Sequence, residues 1–280
     1  MAEPQLTPLG KTIGGRVDGI ALDSALDDAT VAWIRAALLD RKVLVFSGQK
    51  LDAPAFRAFA RRLGPLQEHV LRKYRHEDFP DLSWLTNVAK DGSVDAFGVT
   101  RATRWHSDGS YTRDPPALGI LYALEVPSRG GGTIFADMCN AYDSLDDDMR
   151  ARVAGLTGLH THGGGPAGEH YKGSLDADQK EAVVDAVHPA VRRHPYSGRE
   201  LLYVNETHTR KFAELETAES VDLVKRLVAH ATRPDNLYTH RWTPGDLLIW
   251  DQPATMHRGA GDYPPTDRRI KLRAIVQALD

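Results

Sequence analysis

The sequence predicts a mostly β protein, a sandwich or barrel with peripheral helices. Three observations carry this. About ten short apolar runs are bounded by turn residues. Only a few segments show helical spacing. Strands and helices do not alternate strictly, which argues against a doubly wound parallel sheet.

The elements follow in chain order. Ala29–Leu39 places Val31, Ile34 and Leu38 at helical spacing. Phe56, Phe59, Ala60 and Leu63 repeat the pattern, and Gly64-Pro65 stops it. Between these helices, Lys42–Gly48 is an apolar run closed by a turn signal and reads as a buried strand. Further strands are expected at Leu82–Val88, Trp105–Ser110, Leu118–Val126, Thr133–Ala136 and Leu156–His162. Later ones are Ala190–His194, Leu201–Val204, Leu237–Trp242, Asp246–Trp250 and Arg269–Gln277. Helices are expected at Leu145–Val153, Asp176–Val187 and Ala218–Ala231, the last with Val221, Val224, Leu227 and Val228 on one side. Ala89–Arg104 and Gly163–Ser174 read as loops of the kind that close over a site or stay solvated. Gly130-Gly131-Gly132 lacks a lysine partner, matches no phosphate-loop pattern and reads as a tight turn.

Composition bounds the function classes. The chain has 280 residues, 41% hydrophobic and 26% charged, enough for one large β-rich domain, the expectation over 1–280, or two small ones. A net charge of −3 gives no reason to expect nucleic acid or an anionic membrane as partner. Cys139 is the only cysteine, so neither an intrachain disulfide nor a cysteine zinc site can form, and it reads as a small buried hydrophobe. The N-terminus lacks the basic and apolar regions of a signal peptide. The best apolar run, Ala117–Val126, is about half a membrane span and contains Glu125. A cytoplasmic location is the expectation.

Chemistry concentrates at His106-Ser107-Asp108. On a strand, alternate residues face one way, so His106 and Asp108 would aim at one point. The bland reading of such a pair is two side chains hydrogen-bonded in a turn. A third donor, His257, would complete two imidazoles and one carboxylate, the set that holds non-haem Fe(II) with coordination positions left open. Trp105 and Tyr111 flank the pair and could supply an apolar wall.

The order Trp-His-x-Asp, Gly-Gly-x-Thr, Trp-Asp-(x)5-His-Arg-Gly and Arg-Arg-(x)3-Arg resembles the taurine dioxygenase/2,4-dichlorophenoxyacetate dioxygenase family, from about Val43 to Gln277. The resemblance implies a double-stranded β-helix (jelly roll), Fe(II), 2-oxoglutarate as cosubstrate, and O2. It implies His106, Asp108 and His257 as iron ligands and catalytic residues. Thr133 matches the threonine that hydrogen-bonds 2-oxoglutarate, and Arg269 the arginine that pairs with its distal carboxylate. Arg273 matches an arginine that holds the substrate's anionic group, and His69 lies near a substrate-binding histidine. Tyr74, Asn87 and Trp105 are substrate-pocket candidates by position. Gly132 stands where family members often have Asp. A homo-oligomer is also implied.

Residue chemistry fits these roles. A guanidinium can grip a carboxylate bidentately where an ammonium cannot. Arg269 and Arg273 share one strand face, but so does Lys271, which makes three cations in a row. Lys271 would snorkel to the rim or be turned away by a bulge, unless the whole run is an exposed strand face. His160-Thr161-His162 is a weak second metal pair, better read as surface or lid histidines. Asp251 is either a hydrogen-bond partner behind the metal ligands or a turn residue.

The implied reaction is hydroxylation of a small organic anion (a sulfonate, alkyl sulfate or aryloxyalkanoate) with release of succinate and CO2. C–S or C–O cleavage follows where the carbon bears the heteroatom. Asp108 fills the position that related halogenases leave small for chloride, which disfavours halogenation. Two other classes compete: a non-catalytic jelly-roll binding protein and a zinc hydrolase with the same ligands.

Overall fold

A computed structural model describes residues 3–22, 26–69, 72–89, 91–95, 97–100, 102–166 and 185–279. Its largest sheet contains β1 (Gln5–Pro8), β2 (Gly15–Asp18), β3 (Val43–Phe46), β4 (Leu82–Thr86), β5 (Leu118–Glu125), β13 (Leu247–Asp251) and β15 (Ile270–Val276). The strands run in the order β1-β2-β3-β13-β5-β15-β4, and only β2–β3 pair in parallel. A second antiparallel sheet has β6 (Thr133–Asp137) between β12 (Leu237–His240) and β14 (Thr255–Gly259). A third joins β7 (Thr157–His160), β8 (Ala186–Pro189) and β11 (Thr209–Phe212), and β9 (Val191–Arg193) pairs β10 (Glu200–Leu202).

The large sheet is buried on both faces, and strand parity sorts its residues. Leu44, Phe46, Ile120, Tyr122, Leu247, Ile249, Leu272 and Ala274 pack with α1 (Asp28–Arg41) and α2 (Ala53–Leu63). Their neighbours Val43, Val45, Leu121, Ala123, Leu248 and Trp250 meet Phe135 of β6 in the space between the sheets. The outer side of the second sheet, through Ala136 and Met256, packs with α4 (Met138–Asp143) and α6 (Thr217–Ala231). Two facing antiparallel sheets with helices outside make the jelly roll that the sequence resemblance implies.

Aspartates start four of the helices, Asp137 capping α4 through Cys139 N and Asn140 N. Asp27, Asp52 and Asp146 cap α1, α2 and α5 (Asp147–Val153) by accepting from the backbone N–H three residues on.

Several elements depart from the expected pattern. Trp105–Ser110 is not a strand; His106 forms one isolated bridge to His257, and the chain then turns. α4 was not expected, nor were β1, β2, β8 and β11. β1 and β11 offer little apolar alternation, and β2 has Val17 as its one large apolar side chain. Ala186 and Val187 belong to β8 instead of ending a helix. Residues 176–184 of that expected helix, and residues 167–174 of the second loop, lie outside the described residues.

Candidate metal and cosubstrate site

The site forms where the two sheets open toward the 105–110 turn. His106 and His257 exchange backbone hydrogen bonds (His106 N to His257 O, 3.0 Å; His257 N to His106 O, 2.8 Å), which bring their rings to 4.3 Å between centroids. Asp108 arrives by the turn. Ser107 Oγ donates to Thr255 O at 2.7 Å, and Gly109 takes φ 69°, where a Cβ would lie 2.4 Å from Pro116. Asp108 Oδ2 then stands 3.8 Å from His257 Nε2. Among the described residues, the group of side chains able to hold a metal ion is His106, Asp108 and His257, with one ligand atom of each within 4.8 Å of the others.

His257 and Asp108 are held in ligating forms, and His106 is oriented by a backbone contact. Arg104 O can only accept, so its 2.8 Å contact to His106 Nδ1 places the proton there and leaves Nε2 free. Burial, then the neighbouring His106, pushes the His257 imidazole down to about 3, so it is unprotonated at neutral pH. For Asp108, burial opposes ionisation, but Arg273, His257, His106 and the Gln252 amide outweigh it and hold the carboxyl well below the usual carboxylate range. Two imidazoles, one carboxylate and no thiolate suit Fe(II).

The backing of His257 is apolar. Phe135 stacks on it at 5.8 Å and Trp250 lies at 5.1 Å. Trp250 reaches this position because β5 has a glycine opposite; a Cβ on Gly119 would come within 2.2 Å of the indole.

One cavity, of about 60 Å³, joins the three ligands to Thr133, Arg269 and Arg273. Gly131 and Gly132 form part of its wall, with Gly98, Val99 and Ala102 from the 89–104 loop and its short helix α3 (Phe97–Thr100). Thr133 Oγ1 accepts from Trp242 Nε1 at 2.9 Å, which leaves its own O–H to donate. A threonine donor and a guanidinium in the cavity that His106, Asp108 and His257 face fit a carboxylate-bearing chelator.

A second cavity, of about 160 Å³, meets Asp108 and Arg273 from the other side. His69, Tyr111, His162 and His208 line it. Burial lowers both His162 and His208, so neither of these two adds a charge near neutrality. Burial and Asp108 push the Tyr111 phenol up to about 12, which keeps it a donor.

The other expected residues sit elsewhere. Asn87 is buried and spent on backbone: it accepts from Arg269 N at 2.8 Å and donates to Asp267 O at 2.8 Å. It thus fixes the start of β15 and lines neither cavity. Trp105 packs with Ala254 and Met256, under the Arg258 guanidinium. Tyr74 meets the edge of His69 at 6.3 Å without lining either cavity. His160 and His162 diverge and form no metal pair: His160 is fully buried against His188 and Tyr203, whereas His162 meets Tyr111. Asp251 binds His194 at 2.9 Å and not a metal ligand. The residue behind Asp108 is Gln252, whose Nε2 donates to Asp108 Oδ2 at 3.0 Å while its Oε1 accepts from Asp108 N at 3.3 Å. Its position next to Asp251 was the only sequence signal.

Lys271 neither snorkels nor turns out. A register shift lies between Ile270 and Lys271, yet the side chain is fully buried, its Nζ 3.4 Å above the Trp242 ring centre. Cys139 is buried as expected, its thiol pushed up to about 12 by burial and the Asp137 charge. No helix among the described residues is long and apolar enough to cross a membrane.

The chain is similar to known proteins. The model of the taurine catabolism dioxygenase TauD, TfdA family matches residues 5–275. Pentalenolactone F synthase of Streptomyces avermitilis is 32% identical over 285 residues, covering 97% of this chain and 92% of that protein. The alpha-ketoglutarate-dependent 2,4-dichlorophenoxyacetate dioxygenase of Burkholderia sp. (strain RASC) is 34% identical over 274 residues, covering 93% and 90%. The crystal structure of AAD-2 in complex with Mn(II) and N-oxalylglycine superposes with a TM-score of 0.85 at 30% identity, covering 98% of this chain and 97% of that one. With its His-Asp-His group facing one cavity, the chain belongs to the TauD, TfdA family and is a 2-oxoglutarate-dependent non-haem iron dioxygenase.

Proposed function

We propose that the protein hydroxylates a C–H bond of a small organic anion, of the aryloxyalkanoate, alkyl sulfate or sulfonate class, releasing succinate and CO2. The observation that carries this reading is Arg273. Its guanidinium borders both cavities and approaches Asp108 to 3.9 Å, so an anion held by it lies beside the metal ligands. The name of the Burkholderia relative supports the aryloxyalkanoate class.

His106, Asp108 and His257 hold Fe(II), and Arg269 with Thr133 anchors the distal carboxylate of 2-oxoglutarate. When bound, the metal and cosubstrate supply O2 activation coupled to oxidative decarboxylation. The chain's own residues do the positioning. Arg273 and His69 take the substrate anion, and Tyr111 keeps an O–H donor on the cavity wall. The uncharged His162 and His208 admit an aryl or alkyl body without adding a competing cation.

Succinate release on incubation with Fe(II), ascorbate, 2-oxoglutarate and a panel of such anions tests the proposal. Stimulation by at least one anion is expected, and Asp108→Ala abolishes turnover. Undiminished succinate from a folded Asp108→Ala protein, or no stimulation by any member of the panel, would overturn it.

A further inference from the structure

Between Arg269, just before β15, and Arg273 on it, the two arginines assigned to acids, lies a lysine without an assigned task. Lys271 is fully buried, and its Nζ has no hydrogen-bond acceptor among the described residues. A buried amine without a partner is costly, and β15 could carry an apolar residue there at no such cost. Its surroundings point to a ligand. Arg269, just before its strand, and Arg273 on it line the ligand cavity, and so does Leu85, its register partner on β4, while Lys271 itself lies behind that lining. The amine rests 3.4 Å above the Trp242 ring, and that same indole donates to Thr133 Oγ1. Lys271 is thus one ring away from the threonine and two residues from the arginine that frame the acid pocket.

We propose that Lys271 is a third contact for the distal carboxylate of 2-oxoglutarate, completing a clamp with Arg269 and Thr133. The proposal rests on the 2-oxoglutarate reading of that cavity. The amine enters the encounter uncharged. Burial, then Arg269, pushes it well below the ordinary lysine range, against a weaker pull from Asp246. The other neighbours do little to restore the charge. Asp246 is already bonded to His240 at 3.1 Å, and the register partners on β4 and β5 are Leu85 and Ala123. An entering carboxylate supplies the missing acceptor and the missing charge, so Nζ gains one proton from solvent as the acid binds. Binding that takes up a proton weakens as pH rises, from the amine's value in the empty pocket up to its raised value in the complex.

Calorimetric titration of anaerobic Fe(II)-loaded protein tests this, with 2-oxoglutarate and with 2-oxopentanoate, which lacks the distal carboxylate. Lys271→Met keeps length and volume without the amine. It should weaken 2-oxoglutarate about tenfold or more and leave 2-oxopentanoate within about twofold. The wild type needs no variant for the second readout. Its binding heat should differ between buffers of unlike ionisation enthalpy, in the sense of proton uptake, for 2-oxoglutarate only. Equal weakening of both acids, no weakening, or absence of proton uptake by the wild type would overturn the proposal while leaving the dioxygenase reading intact. Failure of the wild type to bind 2-oxoglutarate at all would overturn both.

Discussion

Arg273 Nη1 lies 3.9 Å from Asp108 Oδ1, so the carboxylate of the metal triad is bordered by the cation that faces the larger cavity. The same aspartate meets His257 and Gln252 through Oδ2. One short side chain therefore connects the metal group to the substrate side. If Arg273 serves the substrate, Arg273→Met raises KM for an anionic substrate by about tenfold to a hundredfold, the worth of a charge-assisted hydrogen bond. Binding of 2-oxoglutarate in the absence of substrate changes little. Arg273→Lys restores only part of the loss, because an ammonium cannot reproduce a two-pronged contact. Steady-state kinetics with separate titration of the cosubstrate checks the split, and a parallel loss of both affinities contradicts it.

Gln252 holds Asp108 at two points, the carboxylate and the backbone N–H. Removing such a partner costs about 10- to 100-fold in metal affinity in comparable sites. Gln252→Leu is therefore expected to weaken Fe(II) binding by that factor, whereas Gln252→Glu brings a second carboxylate against Asp108 and raises its proton affinity. Anaerobic metal titration of the folded variants reads this directly. Unchanged affinity in Gln252→Leu would show that the 105–110 turn holds Asp108 by itself.

How far the sequence reveals this molecule depends on the range of each interaction. Strand parity is local, and the cores on both faces of the large sheet follow from runs such as Val43–Phe46 and Leu247–Trp250. His106 and Asp108 are two residues apart, so their convergence was legible, but its cause was misread. A turn through Gly109 and a bridge to His257 aim them, not an extended strand. Gln252 and Asp251 are adjacent, and nothing local tells which one reaches Asp108 across 144 residues of chain. Lys271 shows the same limit. Its face was legible from alternation, but its burial depends on Trp242, brought in by a different strand connection.

Histidines buried away from the metal group tie stability to pH. Burial, then His188 and Arg192, pushes His160 down to about 3 in the folded protein, against about 6.5 in the unfolded chain. Between those values the unfolded chain binds the proton and the folded one does not. This contribution to stability is fully present above about pH 6.5 and is lost progressively as pH falls toward 3. His160→Gln is expected to flatten the decline in melting temperature over that window, measured by circular dichroism at constant ionic strength. An unchanged slope would locate the acid sensitivity in other groups.

The ion pair between Lys42 and Asp137 lies under the second sheet, 3.2 Å long, with both side chains almost wholly buried. It ties two termini together. Lys42 closes α1 in the left-handed region at φ 62°, and Asp137 opens α4 by accepting from Cys139 N and Asn140 N. Asp137→Ala removes the cap and strands the ammonium, which among the described residues keeps the carbonyls of Thr12 and Asp40 as acceptors. Breaking a buried pair from one side costs about 3–5 kcal/mol, and loss of a cap about 1 kcal/mol more. Replacing both partners removes the stranded charge, so Lys42→Met combined with Asp137→Asn should recover a large share of that loss, since asparagine still caps. Urea unfolding of the two single variants and the double one measures the coupling. Additive losses would mean that the two side chains act independently, each through its own helix end.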